Sequence, residues 1–361
     1  MLIGQVTRFA LRLLGSIRNV WNFVGEQTEE YRKLPNYENG ELKLERCYIG
    51  DRRNGLYQKC YDNDQLFIEC YYLDGKLHGL YQEWYKNGEL YKQTSYVNGE
   101  RHGPHCERYD NGKLRIESNF INNKIGGSCR EWHPNGQLRE ELTYIDEKRE
   151  GVHKEWYDNG QLFVKCHYLN GKFHGSYQKF YKKGQLDKEC NYINGKLEGS
   201  YKEWYKNKQI FKQCSYTNGR LEGLYETWFD SGQPSVRCHY INGKLKCSYK
   251  TWYFNGQLRE ESNYFNGVLN GSYYEWYDNG VVRISCNYLD GELNGKYIKF
   301  RENGRPSVLC TYVGGNLHGH YQKWRNNGGL SRICNYDDGE LSGLDIKLDH
   351  NDGISSIVEH L

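Results

Sequence analysis

Residues 264–287 read YFNGVLNGSYYEWYDNGVVRISCN, and this stretch contains the pattern that decides the fold. Two turn signals, Asn266-Gly267 and Asn279-Gly280, separate short segments rich in Tyr, Trp, Val and Ile. Asn-Gly favours hairpin turns because both residues tolerate positive φ. The segments between the turns, of about six or seven residues, have the length of strands and are too short for helices. The stretch therefore predicts one β-hairpin.

The same pattern recurs every 24 residues, with no change of register, from Tyr48 to Tyr336. The repeats begin at Tyr48, Tyr72, Tyr96, Phe120, Tyr144, Tyr168, Tyr192, Tyr216, Tyr240, Tyr264, Tyr288, Tyr312 and Tyr336. A fixed period of this length is the signature of a repeat protein. We expect tandem repeats over residues 36–343, preceded by a helix and linker over 1–35 and followed by a C-terminal cap over 344–361.

The predicted fold class is all-β: an elongated, single-layer antiparallel ribbon of about 13 tandem β-hairpins, with an N-terminal amphipathic α-helix. The register within a hairpin depends on the turn at Asn87-Gly88. A two-residue type I′ turn would pair Tyr81 with Thr94, whereas a bulged three-residue turn would place Trp84 beside Leu90. A slip of one residue moves every side chain to the other face, and we favour the type I′ turn.

Composition limits the classes of partner and compartment. The 361 residues include 34 Tyr, 41 Gly and 13 Cys, with a net charge of +3 and a mean hydropathy of −0.94. So small a charge gives no reason to expect nucleic acid as a partner. Arg8, Arg12 and Arg18 interrupt the apolar N-terminus, so we expect neither a membrane span nor a signal peptide. We therefore predict an intracellular, reducing, cytoplasmic location with free thiols.

Eight cysteines share one position of the repeat: Cys70, Cys166, Cys190, Cys214, Cys238, Cys286, Cys310 and Cys334. Two strands per repeat separate neighbouring members by about 9.6 Å. That distance exceeds the span of a disulfide, about 4.4 to 6.8 Å between Cα atoms, and is too long for shared zinc ligation. We expect these thiols to pack against tyrosine, and we predict no metal site and no cofactor.

Two further sets of residues are candidates for binding a partner. A row of tryptophans should remain partly uncovered because a single-layer sheet cannot hide both faces, and exposed aromatics commonly mark binding surfaces. The row consists of Trp84, Trp132, Trp156, Trp204, Trp228, Trp252, Trp276 and Trp324.

The second set interrupts the tyrosine of the central strand, which becomes His105, Cys129 and His153 in three consecutive repeats. Smaller, polar side chains would open a docking notch in an aromatic row. A metal site and a bent or drifted repeat with hydrogen-bonded histidines are the alternatives.

The N-terminal residues have helical rather than strand periodicity. Apolar side chains recur on one side of a helix over residues 2–24, with arginines on the other side. The predicted anchor residues are Leu2, Val6, Phe9, Leu13, Ile17, Val20, Trp21 and Val24. The helix could cover the ribbon, dock into a partner or lie in a membrane interface.

The hairpin that combines N-G-K-L-x-G with Y-x-N-G-Q-L resembles the MORN (membrane occupation and recognition nexus) repeat, and most of all its variant form. That form is known from YwqK-type antitoxins of bacteria and from repeat arrays of large DNA viruses. The resemblance implies a non-enzymatic scaffold for association with other proteins, and a capsid or virion component is one such setting. It also implies two alternatives: an antitoxin-like protein binder and a phosphoinositide-binding, membrane-adjacent tether.

No nucleophile, base and oxyanion donor occur together at a spacing unique to one repeat, so we predict no catalytic residues and no enzyme. The expected partners are other proteins or a second copy of the chain, with membrane-surface contact through the helix as a further possibility. Trp-Tyr hairpins also occur in carbohydrate- and choline-binding repeats of secreted proteins. The thirteen cysteines and the expected lack of a signal peptide argue against that class.

Overall fold

The computed structural model describes residues 31–38, 41–351 and 353–360. The chain divides into two units, Met1–Gly136 and Gln137–Leu361, called here the N-terminal unit and the C-terminal unit. All regular secondary structure in the described residues is β-strand. No helix capable of spanning a membrane occurs among them.

The strands follow the repeat in both units. The described part of the N-terminal unit contains β1 (Tyr31–Glu38), β2 (Glu41–Ile49), β3 (Arg52–Cys60), β4 (Leu66–Leu73), β5 (Lys76–Trp84), β6 (Leu90–Val97), β7 (Glu100–Arg108), β8 (Leu114–Ile121), β9 (Lys124–Ile125) and β10 (Gly127–Trp132). The C-terminal unit contains β11 (Leu138–Ile145), β12 (Lys148–Trp156), β13 (Leu162–Leu169), β14 (Lys172–Phe180), β15 (Leu186–Ile193), β16 (Lys196–Trp204), β17 (Ile210–Thr217), β18 (Arg220–Leu221), β19 (Gly223–Trp228), β20 (Pro234–Ile241), β21 (Lys244–Trp252), β22 (Leu258–Phe265), β23 (Val268–Trp276), β24 (Val282–Leu289), β25 (Glu292–Leu293), β26 (Gly295–Phe300), β27 (Pro306–Val313), β28 (Asn316–Leu317), β29 (Gly319–Trp324), β30 (Leu330–Asp337), β31 (Glu340–Leu348) and β32 (Ile354–His360).

Within each unit the strands form an antiparallel meander. β14, for example, pairs with β13 on one side and with β15 on the other. The two-residue strands β9, β18, β25 and β28 each share a neighbour with the strand that follows, so each such pair occupies one place in the sheet. The predicted β-hairpin repeat is confirmed in both units.

Two different turns alternate along the meander. Ile193 and Lys196 pair across Asn194-Gly195, whose φ angles are 51° and 82°. This two-residue turn with two positive φ values is type I′, whose twist matches that of the flanking strands. Asn123 and Glu147 stand where other repeats have glycine, and they adopt the same conformation, with φ of 67° and 63°.

The turn at Asn87-Gly88 is of the other kind, and the favoured prediction of a type I′ turn there is wrong. The amide of Tyr85 donates to the carbonyl of Glu89, and that of Gly88 donates to the carbonyl of Tyr85, both at 2.9 Å. Only Gly88 has positive φ, 84°, as in a three-residue loop with a bulge at its glycine. A second bulge pairs Trp84 with Leu90 while Tyr81 still faces Thr94, so each alternative was right for one part of the hairpin.

The predicted fold class needs one correction. The described chain is all-β without any helix, so a class that combines the ribbon with an α-helix is wrong for it. Strand β1 begins at Tyr31, inside the segment predicted to be helix and linker. The predicted helix, with its anchor residues Leu2, Val6, Phe9, Leu13, Ile17, Val20, Trp21 and Val24, lies outside the described residues.

Consecutive repeats are joined by side-chain hydrogen bonds as well as by the sheet. The hydroxyl of Tyr205 donates to the carbonyl of Trp228 at 2.9 Å, and the side-chain amide of Asn207 donates to the carbonyl of Asp230 at 2.8 Å. Both bonds join residues 23 positions apart. Equivalent tyrosine bonds are made by Tyr61, Tyr85, Tyr109, Tyr157, Tyr181, Tyr253 and Tyr277. The tyrosine and asparagine of the Y-x-N signature therefore connect one repeat to the next where these residues occur.

Candidate binding surfaces

One face of the sheet has a row of alternating tyrosine and cysteine, called here the tyrosine ladder. Tyr177 pairs with Cys166 on one side and with Cys190 on the other, and Tyr201 in turn lies between Cys190 and Cys214. All eight cysteines that share this position are buried, with no more than 4% of their surface exposed. None of the thirteen cysteines, all of which lie in the described residues, forms a disulfide. The packing role predicted for these cysteines agrees with this arrangement.

The aromatic rings of the ladder make regular edge-to-face contacts. Tyr201 meets Tyr216 with centroids 5.5 Å apart, and Tyr225 meets Tyr240 at 5.7 Å. Such pairs contribute about 0.5 to 1.5 kcal/mol beyond the area they bury. Burial raises the pKa of the Cys238 thiol to about 11 and that of Tyr240 to about 12. The ladder is thus an uncharged core at neutral pH rather than a reactive surface.

The predicted tryptophan row is only half-exposed. Trp84, Trp132, Trp156, Trp204, Trp228, Trp252, Trp276 and Trp324 are all of intermediate burial. Trp204 lines a groove of about 490 Å³ together with Tyr177, Lys188, Glu203 and Phe211. The ammonium of Lys188 lies 4.8 Å from the ring centre of Tyr201, within range of a cation–π contact. Partner binding by the tryptophans stays a prediction.

The three residues of the predicted notch are buried, with 8% of His105, 7% of Cys129 and 2% of His153 exposed. His105 Nδ1 lies 2.8 Å from Thr94 Oγ1, and burial lowers the pKa of the imidazole. His105 and Cys129 belong to the N-terminal unit and His153 to the C-terminal unit. Their role in docking a partner stays a prediction.

A row of exposed apolar side chains that the sequence reasoning did not single out lies immediately before the type I′ turns. This turn row consists of Leu73, Val97 and Ile121 in the N-terminal unit, and of Ile145, Leu169, Ile193, Ile241, Phe265, Leu289 and Val313 in the C-terminal unit. Each is 40 to 57% exposed. Because neighbouring residues of a strand point to opposite faces of the sheet, the side chain of Ile193 lies on the other face from that of Tyr192.

The turn row could have been found from the sequence. An aliphatic or aromatic residue precedes the first turn of nearly every repeat at the same 24-residue period. Large apolar residues are usually buried in monomers, and a contiguous exposed set marks an interaction surface. The tryptophans were named from the sequence instead because their side chains are larger.

The MORN repeat variant family matches residues 77–98, 101–122, 125–146, 149–170, 173–194, 197–218, 221–242, 248–266 and 269–290. No curated protein matches the chain. Among solved structures, a crystal structure of TcdB2-TccC3 is 9% identical over 93% of this chain and 20% of that chain, with a TM-score of 0.18. A crystal structure of TcdB2-TccC3-Cdc42 is 10% identical over 88% of this chain and 24% of that chain, with a TM-score of 0.12. The chain spans less than a quarter of the length of either, and TM-scores this low carry no argument.

Proposed function

The chain belongs to the MORN repeat variant family, which matches more than half of it, and from this premise we propose that it is a scaffold that binds another protein along its turn row. Repeats of this family form non-catalytic scaffolds for protein or membrane interaction. A capsid or virion component and an antitoxin-like binder are settings that the resemblance implies, and both stay predictions.

The observation that carries the proposal is the regular exposure of the turn row. In the C-terminal unit, 57% of Ile145, 40% of Leu169 and 50% of Ile193 is exposed, in three consecutive repeats. Two strands per repeat place neighbouring members about 9.6 Å apart. A periodic apolar row of this kind suits a partner with an extended apolar surface. Each further side chain that such a partner covers adds to the apolar area removed from water.

The test compares two sets of four substitutions in the full chain. I145S, L169S, I193S and I241S remove the turn row from four repeats. V152S, L224S, L344S and V358S are the matched control, since these side chains are 40 to 49% exposed but lie outside the row. We expect affinity capture with quantitative mass spectrometry to show that the first set loses the partner and the second retains it. Equal capture by both sets would contradict the proposal.

A basic residue opposite each of several row members favours a second candidate, contact with an anionic membrane. Ile145 pairs with Lys148, and Ile193 pairs with Lys196; the same pairing joins Leu169 to Lys172 and Ile241 to Lys244. Each lysine near an anionic bilayer contributes about 1 kcal/mol. Co-sedimentation with phosphatidylcholine vesicles, with and without phosphatidylserine, tests this candidate. Binding that needs phosphatidylserine would favour it, and lack of binding would exclude it.

A further inference from the structure

His153 occupies a position that tyrosine holds in most repeats, and its two ring nitrogens face different groups. Nε2 lies 2.9 Å from Glu140 Oε1 and 3.4 Å from Glu155 Oε1. Nδ1 lies 3.5 Å from the sulfur of Cys166. Only 2% of the histidine is exposed, whereas 21% of the Glu140 side chain and 37% of the Glu155 side chain is. The cluster therefore reaches solvent through its carboxylates.

The two carboxylates are directly opposite each other across β11 and β12, an arrangement in which like charges destabilise a sheet. The same pair recurs five repeats later as Glu260 and Glu275. There, Arg283 Nη1 lies 2.7 Å from Glu275, and Tyr273 stands where the first pair has histidine. Phe163 occupies the position that corresponds to Arg283. The Glu140–Glu155 pair thus contacts a buried imidazole from its own central strand, whereas its counterpart contacts an arginine at a different position of the repeat.

The spacing of the three ligand atoms suits a metal ion. They lie within 4.8 Å of one another. Zn²⁺ bonds of about 2.0 to 2.1 Å in tetrahedral geometry separate the ligand atoms by about 3.3 Å. The separation of His153 Nε2 from Glu155 already has that value, and the separation from Glu140 would need to lengthen by about 0.4 Å. With the metal on Nε2, the ring proton resides on Nδ1, where the sulfur of Cys166, a weak acceptor, lies 3.5 Å away.

We propose that Glu140, His153 and Glu155 bind one divalent transition-metal ion of the Zn²⁺ class, with Cys166 orienting the imidazole. One imidazole nitrogen and two carboxylate oxygens form a set that such ions accept, and the nitrogen disfavours Ca²⁺ and Mg²⁺, which prefer oxygen ligands. Three protein ligands leave a fourth position for water. The ion cross-links β11 to β12 and neutralises the opposed carboxylates, so it stabilises this part of the C-terminal unit.

Calorimetric titration of the reduced full chain with ZnCl₂, after treatment with a chelator, tests the proposal. His153→Tyr restores the residue of neighbouring repeats such as Tyr177, and Glu140→Gln keeps the shape of the side chain, so circular dichroism should show both variants folded. We expect one binding event in the wild type that is at least about tenfold weaker in either variant. Glu260→Gln, in the matched pair that has Tyr273, should leave this event unchanged.

Zn²⁺ should also raise the melting temperature of the wild type but not that of His153→Tyr, because the ion binds only the folded site. Absence of Zn²⁺ binding by the wild type would overturn the proposal. Equal affinity in the wild type, His153→Tyr and Glu140→Gln would overturn it as well, since the ion would then bind at other histidines or cysteines.

Discussion

Cys247 stands at a position that glycine holds in most other repeats, such as Gly199 and Gly271. Its φ is 64°, close to the 72° of Gly199. A side chain in this left-handed region costs about 1 to 2 kcal/mol because Cβ approaches the following carbonyl oxygen. Cys247 thus keeps the backbone conformation that glycine has at this position of other repeats, at the cost of strain in this one residue.

Replacing Cys247 with glycine should raise the free energy of unfolding by about 1 kcal/mol, because glycine adopts positive φ without this strain. Urea denaturation measures the change. Gly199→Ala is the matched reverse substitution: no atom lies within 4 Å of the added Cβ, so only backbone strain should lower stability, by about 1 kcal/mol. A destabilised C247G variant would contradict this account of the backbone.

The buried thiols predict how stability depends on pH. Burial raises the pKa of Cys238, Cys286 and Cys310 from 9.0 to about 11. Above pH 9 the unfolded chain loses these protons first, so the native state binds more protons and stability falls as pH rises. The contribution of these thiols is fully present below about pH 9 and is lost as pH rises through about 11.

We therefore expect the urea midpoint to be constant from pH 7 to 8.5 and to fall steeply between pH 9 and 11. Serine occupies the same buried position at Ser262 and Ser118, so Cys238→Ser should fold and should show a shallower fall. A midpoint that does not change up to pH 11 would show that these thiols are not buried as described.

At the residue scale, the sequence predicted burial better than exposure. The period identified the cysteines of the ladder, and distance excluded disulfides between them. The Glu140–His153–Glu155 cluster was not predicted, because a bulge between Glu141 and Thr143 changes which residues face each other and sets Glu140 opposite Glu155. The same bulge recurs in other repeats, for example between Cys190 and Tyr192, but the turn signals of the sequence do not indicate it.

At the scale of the element, the hairpin is held by its turns and by the hydrogen bonds that each turn makes to the next repeat. Tyr205 Oη donates to the Trp228 carbonyl, and Asn207 Oδ1 accepts from the amide of Gln209 at 3.0 Å while its amide group donates to Asp230. Arg301 makes the bond of the missing tyrosine, with Nη2 2.7 Å from the carbonyl of Trp324. An arginine can therefore replace the tyrosine as the donor, although Phe229 at the same position of another repeat has none.

Tyr205→Phe should lower the free energy of unfolding by about 1 kcal/mol, because the carbonyl of Trp228 loses its donor in a partly buried site. Tyr71→Phe is the control, since this tyrosine is 48% exposed and surface substitutions usually change stability by less than about 0.5 kcal/mol. Chemical denaturation of both variants measures the difference. Equal effects of the two substitutions would contradict a role for the Tyr205 hydroxyl.

The sequence predicted the strands and the period of these elements but not the type of turn at Asn87-Gly88. The expected two-residue turn there is a three-residue one, whereas Asn194-Gly195 forms the two-residue type I′ turn. An Asn-Gly pair is compatible with both turn types, because the two types differ in the number of residues between the last paired residues of the strands. Local sequence preference therefore could not decide the register.

At the scale of the whole molecule, the described strands of each unit pair with the strand before or after them, passing over only the two-residue strands. Each repeat within a unit therefore depends on the repeats beside it. The stability of such an array is approximately the sum of repeat and interface contributions. In the C-terminal unit the ladder positions Tyr177, Tyr201, Tyr225 and Tyr249 all face a cysteine or its equivalent. After removal of one complete repeat, the strands on either side of the deletion should therefore pair in the same register, with each ladder tyrosine again opposite a cysteine or its equivalent.

The most direct test of this account deletes whole or partial repeats from the full chain. Deleting Tyr192–Ser215 removes 24 residues and joins Asn191 to Tyr216, which has the same position in its repeat as Tyr192. Deleting Tyr192–Glu203 removes half a repeat and joins Asn191 to Trp204 instead. We predict that the first variant keeps the far-ultraviolet circular dichroism per residue and a cooperative urea transition, and that the second loses both. Loss of structure in the 24-residue deletion, or equal tolerance of the two deletions, would contradict the claim that residues 24 apart are equivalent positions of one ladder.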